Sequence, residues 1–324
     1  MKLRFAALFW GICLVITAGD EARAESYPSR PVRIIVPAAA GSPLDVNARK
    51  VAAKLTQALG QAVVVDNRPG ANGIIGTDLA AKAKPDGYTL LMGSTSTLTL
   101  NPSLYPSLPY RPLDDFAPIT LAVRGSPIMV VNAILPARTL GEFISLAKAK
   151  PGQMHYGSPG IGSIQHLAGK LLERNAGIEM VHVPYKNQSE LVSDLISGRI
   201  DAMIEFGASA VPLIKGGKLR ALAIAGPARK PDLPEVPTAA QAGTRGFEVI
   251  GWAGYLAPAG TPTEIIEKLN REITVAIFAA DYSSWVTSLG SEVVGGQSQA
   301  FAQIIRSDLA TWDALIREAG VRLE

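Results

Sequence analysis

Short β-branched runs alternate with helix-length amphipathic segments along most of this chain. That alternation limits the fold more than any single motif does. Residues 32–36 (Val-Arg-Ile-Ile-Val) form one such run, broken over 37–41. Ser42-Pro43-Leu44-Asp45 then reads as a helix start, with a hydroxyl N-cap, proline at the first helical position and an acid at N3. Leu44, Ala48, Val51, Ala52, Leu55 and Leu59 recur at helical spacing until Gly60. A strand at 63–66, a helix at 74–84 and a strand at 88–92 are expected next. The rhythm returns with a helix at 140–150 and another carrying Ile164, Leu167, Ala168, Leu171 and Leu172 on one face. A strand at 181–184, a helix opened by Asn187-Gln188-Ser189-Glu190, and strands at 200–204 and 219–225 follow. A long apolar strand is expected over 247–256, and three helices over 262–279, 281–289 and 299–319 end the chain. This alternation implies parallel sheets with helices on both faces, an α/β architecture.

The first residues have the layout of an export signal. Lys2 and Arg4 precede a mostly apolar stretch over 5–18, and Ala22-Arg23-Ala24 offers small residues at the cleavage positions. Cleavage after Ala24 is expected, which places the mature chain in the periplasm and leaves 300 of the 324 residues. That length exceeds what one core of about 250 residues usually serves, so two domains are expected. Cys13, the only cysteine, lies in the signal and lacks a convincing lipidation motif. The mature chain therefore has no disulfide framework, thiolate nucleophile or cysteine-held metal. Three basic and two acidic residues fall in 1–24, leaving 28 and 26 of the 31 and 28, a net of +2. Such a balance does not indicate a nucleic-acid partner.

Two glycine-containing loops open helices at the carboxyl ends of expected strands, where ligands bind in open parallel sheets. One is Ala38-Ala39-Ala40-Gly41-Ser42, running on to Asp45; the other is Gly157-Ser158-Pro159-Gly160-Ile161-Gly162-Ser163, running on to His166. Free N–H groups and the positive end of the helix dipole suit a carboxylate at such places. The same glycines also serve as tight turns, and the two serines as helix caps. Gly70, Gly73 and Gly76 do not have dinucleotide-binding spacing, and no phosphate-binding loop is present. No metal-ligand spacing joins His155, His166 and His182, and no nucleophile elbow occurs. His182 reads as a core or rim residue, and His166 at N3 of its helix can face a cleft. Glu205, at a strand end, is either a general base or, more simply, a residue that reads a ligand donor or supports one that does. Trp252 and Tyr255 read as packing or hinge residues. These features point to a binding protein rather than an enzyme, with no cofactor.

Ordered motifs then carry a family resemblance. Tyr27-Pro28-Ser29-Arg30-Pro31-Val32-Arg33, Val65-Asp66-Asn67-Arg68-Pro69-Gly70-Ala71, Pro85-Asp86-Gly87-Tyr88-Thr89-Leu90-Leu91 and Asn101-Pro102-Ser103-Leu104-Tyr105 come first. His182-Val183-Pro184-Tyr185-Lys186, Gly217-Lys218-Leu219-Arg220-Ala221-Leu222-Ala223 and Leu256-Ala257-Pro258-Ala259-Gly260-Thr261-Pro262 complete the series. Together they resemble the Bug family, the solute receptors of tripartite tricarboxylate transporters. The resemblance implies two doubly wound α/β domains with a hinge, a type II periplasmic-binding-protein or Venus-flytrap arrangement. Domain 1 would combine 25–125 with 248–324, domain 2 would span 126–247, and the crossovers would lie near 123–131 and 250–256. It also implies a small carboxylate ligand, integral-membrane permease subunits as partners, and a monomeric receptor. One carboxylate would be held by the first loop and by the 93–97 segment with Gly93, Ser94 and Ser96. The second loop and the strand end at Glu205-Phe206 would read the rest of the ligand. An alternative partner for the same pocket is a membrane-bound signalling kinase.

The chain departs from the family pattern at several of these positions. The family's first loop is usually P-F-P-P-G-G-x-T-D, whereas this chain has Pro37-Ala38-Ala39-Ala40-Gly41-Ser42-Pro43-Leu44-Asp45. Ile161 stands where a polar residue is frequent, Glu205-Phe206 replaces a usual Asp-Asn, and Asn187 replaces a glycine. The backbone anion site is expected to persist while side-chain readout becomes more apolar. This suggests a carboxylate with an apolar or aromatic body. Amino-terminal sequencing of the exported protein should begin at Glu25; an intact Met1 would overturn the export reading.

Overall fold

The computed structural model describes residues 27–318, so the expected signal, 1–24, lies outside the described residues. The elements run β1 (Val32–Val36), α1 (Pro43–Leu59), β2 (Val63–Asn67), α2 (Ile74–Ala81), β3 (Thr89–Ser94), α3 (Asn101–Leu104), β4 (Phe116–Gly125) and β5 (Ile128–Asn132). There follow α4 (Leu140–Ala149), β6 (Met154–Ser158), α5 (Ile164–Ala176), β7 (Met180–Pro184), α6 (Gln188–Ser197), β8 (Ala202–Glu205), α7 (Gly207–Lys215) and β9 (Leu219–Ile224). The chain ends with β10 (Gly251–Pro258), α8 (Thr263–Phe278), α9 (Ala280–Ser288), β11 (Ser291–Gly295) and α10 (Ser298–Glu318). A short π-type segment, Ser96–Leu100, joins β3 to α3.

The strands form two sheets, ordered β11-β4-β10-β3-β1-β2 and β7-β6-β8-β5-β9. Each has a parallel trio, β2-β1-β3 in the first and β7-β6-β8 in the second. Neither sheet is wholly parallel, which corrects the sequence expectation. β10 runs antiparallel to β3 and β4, and β5 runs antiparallel to β8 and β9. The reason is topological. The parallel strands end facing the gap between the sheets, and the chain enters β5 and β10 from that same gap. A strand that begins where its neighbours end must run against them.

Local sequence explains the helices that frame the gap. Ser42 caps α1 by accepting from the Asp45 N–H at 3.3 Å, with Pro43 at the first helical position. The α1 stripe Ala48, Val51, Ala52 and Leu55 is buried on the first sheet. Full burial of a leucine such as Leu55 contributes roughly 1.5–3 kcal/mol. Gly60 ends the helix at φ +66°, a left-handed conformation that glycine adopts without strain. Ser163 and Asn187 cap α5 and α6 in the same manner as Ser42.

Several elements were not legible in the pattern. β4 contains Pro118, and β11 is a five-residue strand between glycines, in the stretch left between the last two expected helices. The apolar run from 247 is strand only from Gly251; Phe247 and Val249 pack instead into the second lobe's core. That core also takes Leu100, Leu104, Trp312 and Ile316, which belong to elements of the first lobe. On the other flank Leu289 packs with second-lobe residues such as Val211 and Leu233. Gly207 begins α7 flush against this contact, and a Cβ there would fall 1.8 Å from the Leu289 carbonyl oxygen. Gly207→Ala should destabilise the protein by about 1–3 kcal/mol through overpacking. Urea denaturation would check this, and an unchanged midpoint would contradict the flush contact.

Candidate functional site

A cleft of about 840 Å³ opens between the two sheets, within the range of small-molecule sites. Its first-lobe wall includes Ala38, Ala39, Ser42, Leu44 and Asn47 from the first loop and α1, with Ser94, Thr95, Ser96 and Thr97 after β3. Its second-lobe wall includes Gly160, Ile161, Ser163, Ile164 and Gln165, with Asn187, Gln188 and Phe206. Of the residues expected at the site, Ala38, Ala39, Ser42, Ser94, Ser96, Gly160, Ile161, Ser163 and Phe206 line this cleft. Ala40, Gly41, Asp45, Gly93, Ser158, Gly162, His166 and Glu205 do not.

Those behind the wall have readable structural roles. Asp45 turns back and accepts from the Gly41 N–H at 2.9 Å and Arg49 Nε at 3.0 Å. Burial opposes its ionisation, but hydrogen bonds from Arg49, Gly41 and Asn67, and the Arg49 charge, hold the carboxyl below its ordinary range. Gly41 and Asp45 thus use their own N–H groups to close the loop, and Ser42 N–H goes to Ala39 O at 3.2 Å. Among the described hydrogen bonds the amides of Ala39 and Leu44 take no partner, and both residues line the cleft. Gly93 lies inside the sheet, where a Cβ would meet Leu98 and Leu256 at 2.6 and 2.7 Å.

The segment after β3 ties the lobes together. Thr95 Oγ1 accepts from the Trp252 N–H at 2.9 Å, fixing the start of β10. Ser96 Oγ reaches across the gap and accepts from the Ile164 N–H, at the first turn of α5, at 3.2 Å.

The second loop satisfies most of its own donors. Gly160 N–H goes to Ser158 Oγ at 3.1 Å, Gly162 N–H to His166 Nδ1 at 3.1 Å, and His166 N–H to Ser163 Oγ at 3.2 Å. Ser158 Oγ also meets His182 Nε2 at 2.6 Å. The rings of His166 and His182 lie 4.1 Å apart, beside Tyr156. His166 therefore supports the loop from behind, and His182, read from the sequence as core or rim, is its partner. Burial, then the Lys170 charge, pushes His166 down to about 4. Burial, then the charges of His166 and Lys170, pushes His182 down to about 3. Both rings are neutral at neutral pH, and Nδ1 of His166, as an acceptor, places its proton on Nε2.

Glu205 is 1% exposed and sits beneath the second-lobe wall, where burial pushes its carboxyl up and three donated hydrogen bonds offset this only in part. Two of these come from Gln165 and Gln188, cleft residues that the sequence reading did not single out. Their signal was available: each stands in the first turn of a helix that opens at a strand end. Tyr105, Tyr185, Trp252 and Trp285 also line the cleft. They come from four separate places in the chain, so no local motif groups them. Among the described residues no cluster of His, Cys, Asp and Glu is arranged to hold a metal.

A cleft between two α/β lobes, walled by helix starts, is the geometry of a solute receptor. The family described as tripartite tricarboxylate transporter family receptor matches residues 47–321. This chain belongs to that family. It is 37% identical to protein BugT of Bordetella pertussis over 313 residues, covering 96% of each chain. The structure of R. palustris Rpa4515 with adipate superposes with a TM-score of 0.88 at 33% identity, covering 91% of this chain and 99% of that one. MatC from Rhodopseudomonas palustris with bound malate gives 0.85 at 32% identity, covering 90% and 100%. The chain is thus a periplasmic solute-binding receptor of the Bug type, and not an enzyme.

The pair of buried His166 and half-buried His182 sets a pH dependence for this receptor. The unfolded chain takes up protons on both histidines near pH 6.5, while the folded chain resists until about pH 4 and 3. Between those limits the unfolded state binds more protons, so stability falls as pH falls. The slope should approach about 1.4 kcal/mol per pH unit for each histidine. Urea midpoints at pH 7.5, 6.0 and 5.0 would measure it, and His166→Gln with His182→Gln should flatten the profile.

Proposed function

We propose that this receptor captures a small carboxylate with an apolar or aromatic body and delivers it to the integral-membrane permease subunits of a tripartite tricarboxylate-type transporter. It would act in the periplasm after cleavage behind Ala24, with residues 27–125 and 248–318 forming most of one domain and 126–247 the other. The observation that carries the reading is the composition of the cleft wall. Free amides at Ala39 and Leu44 stand at the start of α1, where the helix dipole favours an anion. The same cleft is lined by Tyr105, Phe206, Trp252 and Trp285, which suit an apolar or aromatic body. Relatives whose structures hold adipate and malate support a carboxylate as the ligand class.

No cofactor enters this reading. The Ser96–Ile164 hydrogen bond already joins the two walls of the cleft. A ligand touching both walls would favour the closed arrangement by its preference for that state. Isothermal calorimetry against a panel of acids tests the proposal. Aromatic or apolar-bodied monocarboxylates should bind, with citrate and aspartate weak. Tight citrate or aspartate binding with no aromatic-acid binding would overturn it.

A further inference from the structure

Glu205 ends β8 with its carboxyl turned inward, at the point where α5, α6 and α7 begin. Its Oε1 accepts from the Phe206 N–H at 2.7 Å and from Gln165 Nε2 at 3.1 Å, and its Oε2 accepts from Gln188 Nε2 at 3.0 Å. No lysine or arginine is among these partners. All three bonds are donated to the carboxyl, so both amides turn their NH2 groups toward it. A planar amide that does so points its carbonyl oxygen the other way. Gln165 and Gln188 both line the cleft, and among the described residues no protein donor reaches either Oε1. Gln165 is more than nine-tenths buried, so what remains accessible of it, its free acceptor included, is available only from the cleft it lines.

Charge distribution points the same way. The Glu205 carboxylate occupies the convergence of three helix starts and takes up their positive potential inside the protein. The second loop's amides are largely bonded within the loop, and the Ile164 N–H is taken by Ser96. In the first lobe, Asp45 is instead neutralised by Arg49, leaving the start of α1 to the ligand.

We propose that Glu205 is a positioning residue for specificity: it holds Gln165 and Gln188 acceptor-outward, so the second lobe selects an acid whose far end carries a hydrogen-bond donor and rejects a second carboxylate. This rests on the reading that the first loop takes the ligand's carboxylate. A hydroxyl, amine or amide would pair with the two carbonyl oxygens. A carboxylate would face them acceptor to acceptor, with both sides left unpaired.

Calorimetry at pH 8 with two matched series tests the assignment: 4-hydroxybenzoate against terephthalate with benzoate as reference, and 6-hydroxyhexanoate against adipate with hexanoate as reference. In the series that fits the cleft, the hydroxyl-ended acid should bind about ten- to a hundredfold more tightly than its dicarboxylate. Glu205→Gln, whose amide lets its neighbours turn either way, should shrink that ratio to about threefold or less. Gln188→Met, on the cleft wall, should weaken the hydroxyl-ended acid about tenfold more than it weakens the reference acid. This second variant decides the matter alone should Glu205→Gln fail to melt cooperatively. A dicarboxylate that binds as tightly as its hydroxy partner in both series overturns the assignment and points to Lys186, which also lines the cleft. So does a ratio that neither variant changes. Binding by none of the six acids sinks the carboxylate reading itself, and this assignment with it.

Discussion

The architecture depends on two strands that run against their neighbours. β5 and β10 both start at the gap between the sheets, because each carries the chain in from the other lobe. Their antiparallel pairing with β8 and β9, and with β3 and β4, anchors both ends of the hinge in the cores of the sheets. The Thr95 hydroxyl holds the first turn of this arrangement by accepting the Trp252 amide. Everything at the cleft follows from that geometry. The parallel strands end there, the helices after them start there, and their first-turn N–H groups are brought to the two sides of the gap.

The two lobes treat those N–H groups differently. In the first, Asp45 and Arg49 form a closed pair that shapes the loop, and amides of the loop remain for a ligand. In the second, Ser158, Ser163 and a neutral histidine pair satisfy the loop from behind, and a buried carboxylate sits where three helices begin. One lobe is thus disposed toward an anion and the other offers side-chain amides. This asymmetry is electrostatic in origin and arises from where two acidic side chains turn, not from the loop backbones, which are alike.

Much of the fold was legible because it rests on local patterns. Ser42-Pro43 marked the start of α1, Gly60 its end, and the β-branched runs marked β1, β2 and β3. Four strands escaped, β4, β5, β6 and β11, although β5 does carry a local apolar run. β4 contains a proline, and β11 is a short strand that exists because β4 offers it an edge. At the site, the loops were readable as helix starts, but which members face the cleft was not. Asp45 and His166 have the residue types of ligand contacts, yet both are turned inward by bonds to backbone amides four positions away. Gln165 and Gln188 showed no motif, since the carboxylate that orients them lies 40 and 17 residues further along.

The sequence by itself determined the βα rhythm, the helix starts at the strand ends, the lack of catalytic constellations and the family motifs, because each depends on neighbouring residues or a short spacing. Only the tertiary structure decided that the sheets are mixed, that aromatic rings from distant segments line one cleft, and that Glu205 sits beneath the cleft wall and accepts from two glutamines. Those outcomes depend on which strand ends meet across the gap, and on how a buried charge finds its donors once water has been excluded.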